Sequence, residues 1–259
     1  MYSGTTLTPL SGRIFGTHQK VDRLARIVLR PHLAKDGRFP DIKHILHFEG
    51  INGPDAIKRK SPAQDEPWHY YSPFDDQDTA LINIIGDHYD RLVLALQDDD
   101  QVRAGFEAAW LAHAIVDGLT PAHHYPYEQK LTELRGGEGL ETRNTIKNKL
   151  ILPGETRRKQ VKNNWEMWGT KGLMSTHIGF EWGIAALMAP YRPKQIDLSE
   201  HDIRELGDYG VLELFKRKAK EIDALGMYDI YQIEGWKPAL ARTARKKLIP
   251  SIVHMVVLA

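Results

Sequence analysis

Apolar positions along this chain recur mostly every three or four residues, the period of an amphipathic α-helix. Val21, Leu24, Ile27 and Val28 mark one face of a first helix, which Pro31 closes. Leu81, Ile85, His88, Leu92 and Leu96 mark a second, over roughly residues 77–98. Phe106, Trp110, His113 and Asp117 keep the same spacing in a third, over roughly 100–118. A fourth spans about 160–189 with Trp165, Leu173, Ile178 and Trp182 on its face, and Gly169 or Gly172 is placed to break it. A fifth starts behind Ser199, a good N-cap, and presents Ile203, Leu206, Leu214 and Ile222. The last covers about 237–257. No segment alternates as a strand would. Gly and Pro gather between the helices in INGPD, LRGGEG and LPGE, and the polar stretch 126–160 reads as a long excursion with one short helix. Nothing divides the chain, so the pattern predicts a single all-α domain over residues 1–259.

Composition changes this picture little. Of 259 residues, 42% are hydrophobic and 27% charged, a balance that can bury a sizeable core. The net charge of +1 supplies no bulk field toward nucleic acid or membrane, and the runs RRKQVK (Arg157–Lys162), KRKAK (Lys216–Lys220) and RKK (Arg245–Lys247) read as solvated faces. There is no cysteine, so any metal must be held by His, Asp or Glu. No run approaches ~18 apolar residues and the N-terminal stretch has no apolar segment of signal length, so no transmembrane segment and a cytoplasmic location are expected. Oligomeric state is not legible.

The exception to an ordinary helical pattern is polar chemistry on apolar faces. In AWLAHAIVDGLTPAHHYP, His113 and Asp117 lie four apart on the face that carries Phe106 and Trp110. A carboxylate buried there must be paired, protonated or metal-bound. The turn GLTPAHH then brings His123 back toward it, with His124 beside it. THIGFEWGIAAL repeats the arrangement with His177 and Glu181. One such pair is an ordinary hydrogen bond on a helix; two, on two core helices, point to a metal site. Asp55 follows Gly53 and Pro54 in a turn, and His69 sits in the aromatic run WHYY with Trp68, Tyr70 and Tyr71. Taken alone, these two read equally as a turn carboxylate and a packed histidine. His18, at the start of the first helix, taken alone reads as a cap or surface residue.

In order, the set is His18, Asp55, His69 fourteen residues on, His113-x-x-x-Asp117, His123 with Pro121 two before it, and His177-x-x-x-Glu181. This resembles the zinc-dependent phospholipase C and S1/P1 nuclease superfamily over about two thirds of the chain. The resemblance implies an all-α fold with two or three zinc ions in a cleft between helices. It assigns Asp55, His69, His113 and Asp117 to one ion, His123, His177 and Glu181 to a second, and His18 to a third that Asp117 bridges. It further implies a metal-bridging hydroxide that attacks phosphorus, with Asp55 orienting or deprotonating the water. The expected substrate is a phospholipid or nucleic-acid phosphodiester, the phospholipid favoured because no dense basic groove is visible. Tyr70 is expected to face it, and His124 either to face it or to stand behind the ligands. One departure stands out. In secreted members the mature N-terminal residue gives its amine and carbonyl to the third zinc, whereas His18 here lies well inside the chain. Either Met1 folds back over the seventeen residues before His18, or processing intervenes, or the third site is altered, with His44 and His47 of KHILHFEG as substitutes.

Two other readings compete. His201-Asp202 is the adjacent pair that an HD-type metal phosphohydrolase needs, although it follows Ser199-Glu200 at a helix start, where acidic residues favour the helix dipole. The other is a non-catalytic, metal-binding helical interaction module.

Overall fold

A computed structural model describes residues 1, 16–33, 37–50, 52–57, 69–192 and 196–259. Among these residues every regular element is helical and no strand is present. Trp68 lies outside the described residues.

The fold is organised around the helix that is apolar on nearly every side. This is α4 in the following order: α1 (Thr17–Leu29), α2 (Ile42–Glu49), α3 (Ala80–Gln97) and α4 (Gln101–Gly118). Asp100 caps α4 by accepting from the Arg103 N–H at 2.9 Å. From Glu107 to Gly118 every residue is buried, so α4 cannot lie on the surface. α3 and α2 pack along it, and α1 closes the layer. Gly118 ends α4 where a Cβ would strike Leu81 and Phe215, so only glycine allows this approach.

The chain continues through α5 (Tyr127–Leu134), α6 (Arg157–Trp168), α7 (Leu173–Met188), α8 (Glu200–Asp223) and α9 (Met227–Glu234). α10 (Pro238–Thr243) runs through a π-helical turn (Ala244–Leu248) into α11 (Ile249–Leu258), which packs on α1, α4 and α8. One core joins Leu81, Ile85, Ile115, Phe215, Ile252 and Val253. A small second core of Tyr127, Leu131, Leu152 and Met167 sits beneath α5 and α6.

The helical pattern largely survives, with informative departures. The fourth predicted helix is indeed divided, into α6 and α7, by the turn at 169–172. Its expected inner face is not wholly inner: Trp165 is 68% exposed and Trp182 53%. Ile27 and Ile203 are likewise exposed. The excursion 126–160 holds two helices rather than one, α5 and a short helix at Ile146–Leu150. It is braced by Arg135, which donates to the Asn148 carbonyl at 2.8 Å, and by the buried Arg143, paired with Glu128. α2 and α9 have no counterpart in the sequence reading. No described helix is long and apolar enough to cross a membrane.

The HD-type reading loses its footing here. Asp202 and Ser199 form a capping box at the start of α8, Ser199 accepting from the Asp202 N–H and Asp202 from the Ser199 N–H. His201 is exposed beside Glu205. The pair is spent on a helix terminus and belongs to none of the described groups able to hold an ion.

Candidate metal centre

Because α4 is central, His113 and Asp117 on its last turns are buried whatever side they face. Their polarity must be answered by neighbouring elements. Gly53 sends the chain back over the end of α2, so close that a Cβ would meet the Glu49 carbonyl, and Asp55 follows on the short helix Pro54–Ile57. Residues 119–123 reverse the chain after α4, held by the His123 N–H donating to the Thr120 carbonyl at 2.8 Å. The Tyr71 N–H donates to the His123 carbonyl at 3.1 Å, which ties the His69–Tyr71 segment to that turn. α1 brings His18, and α7 brings His177 and Glu181.

Asp117 stands at the centre, with its two oxygens facing different partners. Oδ1 meets the Met1 amine, His18 Nε2 at 3.2 Å and His123 Nδ1 at 3.7 Å. Oδ2 meets His69 Nδ1 and His113 Nε2, the latter at 3.2 Å. Glu181 gathers the other side: its Oε1 lies 2.9 Å from His123 Nε2, 3.1 Å from His177 Nε2 and 3.3 Å from the Met1 amine. The imidazoles are stacked in pairs, His18 on His113 with centroids 3.9 Å apart and His123 on His177 at 5.1 Å. Three groups of donors could each close on one ion: His18, His113 and Asp117; Asp55, His69 and His113; and His123, His177 and Glu181. All eight residues singled out as ligands from sequence therefore meet in one place.

Charge in this cluster is held by mutual compensation. Burial opposes ionisation of Asp117, yet the Met1 amine and then His123, His113 and His18 outweigh it and hold the carboxyl well below the usual range. Glu181 is depressed in the same way, against burial, by the Met1 amine and His177. Burial also opposes a charged His113, but Glu49 and Asp117 push it up to about 10. His123 goes the other way: burial and the adjacent amine press it down to about 3. The Met1 amine, wholly buried, is raised despite desolvation by Asp117, Glu181 and Asp55.

The donor set fits divalent zinc. It is all imidazole nitrogen and carboxylate oxygen, the ligands such an ion takes when thiolates are absent. His113 Nε2 is buried without a hydrogen-bond partner although Asp117 Oδ2 is 3.2 Å away. That separation, without hydrogen-bond geometry, is one that a shared cation bridges. His123 Nδ1 is left in the same condition beside Asp117 Oδ1.

The Met1 amine meets Asp117 and Glu181 at the cluster. Met1 is buried in the cluster, its carbonyl accepting from His18 Nε2 at 2.7 Å. The proposed substitutes do not reach it: His47 is exposed and paired with Asn52, and His44 packs against Gly105. Tyr70 lies at the edge of the cluster, 5.4 Å from His123 and stacked on Tyr127 at 5.1 Å. His124 takes the supporting position and does not face the centre. Its Nδ1 lies 3.0 Å from Asp223 Oδ1 and its Nε2 donates to the Gly118 carbonyl at 2.8 Å, so both ring nitrogens brace the end of α4 against α8.

Two acidic residues escaped the sequence reading. Glu49, on the last turn of α2, has both oxygens near His113 Nδ1, at 3.1 and 3.2 Å, and one oxygen 3.9 Å from His18 Nδ1. Asp22, one turn after His18, is buried, and burial followed by Glu49 raises its carboxyl well above the usual range. A signal existed for Glu49: it lies four residues after Ile45, on the same buried face of α2.

No family model, curated protein or solved structure matches this chain.

Proposed function

We propose that this protein is a zinc-dependent hydrolase of phosphate esters, of the phosphodiesterase type. The observation that carries the reading is the position of Asp117, with one oxygen toward Met1 and His18 and the other toward His69 and His113. A carboxylate so placed could serve two ions at once. His69, His113 and Asp55 would hold one, His18 and Met1 a second, and His123, His177 and Glu181 a third. Bound ions supply positive charge to phosphoryl oxygens and lower the pKa of water. The chain's own part is to fix the donors before substrate arrives. Asp117 and Glu181 stay ionised, and His123 is kept neutral and ready to ligate. Asp55 is the carboxylate on a short turn rather than on a long helix, which suits it to accept a proton from the attacking water. The stacked pair Tyr70 and Tyr127 walls the side next to His177, from which Tyr127 is 5.6 Å away.

The test joins metal content to turnover. Purified protein should contain zinc and hydrolyse bis-p-nitrophenyl phosphate. Chelation should abolish this and added zinc restore it. Asp117→Asn should lower kcat by about a hundred-fold or more, since it weakens a ligand that two ions would share. A zinc-loaded protein that cleaves neither a diester nor a monoester would sink the reading in favour of a metal-binding module.

A further inference from the structure

We infer that the outer face of α6 and the short helix before it form a docking surface for an anionic lipid bilayer. The inference stands apart from the metal reading, because surface binding is measured without turnover. Val161, Trp165 and Trp168 fall at i, i+4 and i+7 on α6, so they form one stripe. Val161 is 70% exposed, and Trp165 is the most exposed tryptophan on the helix. The opposite face is already used: Met167 packs into the small core, and Asn163 donates to the Pro153 carbonyl at 2.8 Å. The stripe is thus not a core face turned outward by error of register.

The short helix Ile146–Leu150 widens it. Ile146 is 61% exposed, and Leu150 and Ile151 are exposed with it. The Trp168 indole N–H donates to the Leu150 carbonyl at 2.7 Å, so the two apolar sets adjoin. A contiguous exposed patch of this kind marks an interaction site.

Charge names the partner. Residues 144–171 carry seven Lys and Arg against two Glu, in a chain whose net charge is +1. Arg157, Arg158 and Lys159 open α6 and are exposed. Tryptophan and aliphatic side chains flanked by basic residues are the composition of a helix lying in the headgroup region of an anionic membrane. Single-stranded nucleic acid also takes basic and aromatic groups, but bases stack on rings. Here four of the six exposed apolar side chains are aliphatic, which a bilayer rewards and a nucleobase does not. The placement is also apt. The same helix, on its inner side, supports Tyr127, whose ring lies beside His177, so a docked bilayer would present its phosphates near the wall of the centre.

The experiment is co-sedimentation of the full chain with phosphatidylcholine vesicles, with and without phosphatidylglycerol, read also by tryptophan emission. The chain should bind the anionic vesicles, more weakly as salt rises, with a blue shift. Val161→Ser with Trp165→Ser should weaken partition about ten-fold on anionic vesicles. Arg157→Glu with Arg158→Glu should weaken it about twenty-five-fold or more there, each basic residue contributing about five-fold, and should leave the residual binding to neutral vesicles unchanged. All four side chains are exposed, so the melting temperature should stay at the parent value and show that the fold is intact. No binding to anionic vesicles by the parent chain overturns the proposal. So does equal binding by the variants, or loss in the variants of a dimer or of oligonucleotide binding in place of vesicle binding.

Discussion

At the residue scale, Glu49 is the group that would let His113 serve as a ligand. A ligating imidazole needs its other nitrogen protonated and oriented, and Glu49 accepts from His113 Nδ1 with both oxygens in range. Nε2 is thereby left facing Asp117. Glu49→Gln should weaken retention of the ion held through His113 by about ten- to a hundred-fold, measured by chelator competition. The ion at His123, His177 and Glu181 should be unaffected, since Glu49 has no contact there. Loss of all ions together would indicate general loosening instead. The same pair predicts a pH effect on the metal-free protein. His113 is raised in the folded state from its ordinary 6.5 to about 10, so its contribution is complete below about 6.5 and is lost as pH climbs through 10. The melting temperature of metal-free protein should fall over that window, and Glu49→Gln should flatten the fall. An unchanged slope in the variant would remove Glu49 as its cause. Spacing places Glu49 on the buried face of α2, but it does not show that this carboxylate serves a histidine sixty-four residues away.

At the scale of elements, the helices that the sequence reveals are those long enough to display their period. α3 and α4, eighteen residues each, show five turns of pattern, whereas α2 and α9 have eight residues and hardly two. Direction of facing was harder than existence. Helical period puts Trp165 and Trp182 on an inner face, yet the inner positions of α6 are Asn163 and Met167. α8 shows a further limit: it bends at Gly210, whose φ of 75° no periodicity announces. Its start, by contrast, is readable, and it yields a prediction. Ser199→Ala removes the cap and should cost about 1 kcal/mol, a fall in melting temperature of about 2–4 °C. Asp202→Asn should also destabilise while leaving metal content and turnover untouched. Loss of bound metal in Asp202→Asn would revive the HD-type reading that the capping box argues against.

At the scale of the whole molecule, the eight candidate ligands were legible as an ordered series because each has a fixed local setting: two i,i+4 pairs on helices, one turn after α4, two loop positions, and His18 at the start of α1. Their convergence was not legible, since it depends on α4 being buried and on α1, α2 and α7 packing around its end. Met1 marks the boundary clearly. Its burial against Asp117 and Glu181 is a matter of tertiary contact that no spacing encodes. This convergence has a thermodynamic consequence. In the folded chain the centre joins the first residue, α1, the turn after α2, the end of α4 and α7, which span residues 1 to 181. The unfolded chain holds no such constellation, so ions bound there stabilise only the folded state. At free zinc about a hundred-fold above the dissociation constant, one ion adds about 2.7 kcal/mol. Removing the ions should therefore lower the melting temperature by several degrees, and restoring zinc should raise it in proportion to the logarithm of its concentration. The loss should not be uniform. Without ions, the carboxylates and imidazoles are left to compensate one another, and the two segments that bring single residues to the centre, the N-terminal residue and the turn bearing Asp55, should open first. Hydrogen exchange with and without chelator reads this directly: faster exchange should begin at residues 52–57 and at the start of α1, while α4 and α11 stay protected. Uniform acceleration across the fold, or none, would mean that the cluster does not tie these segments together.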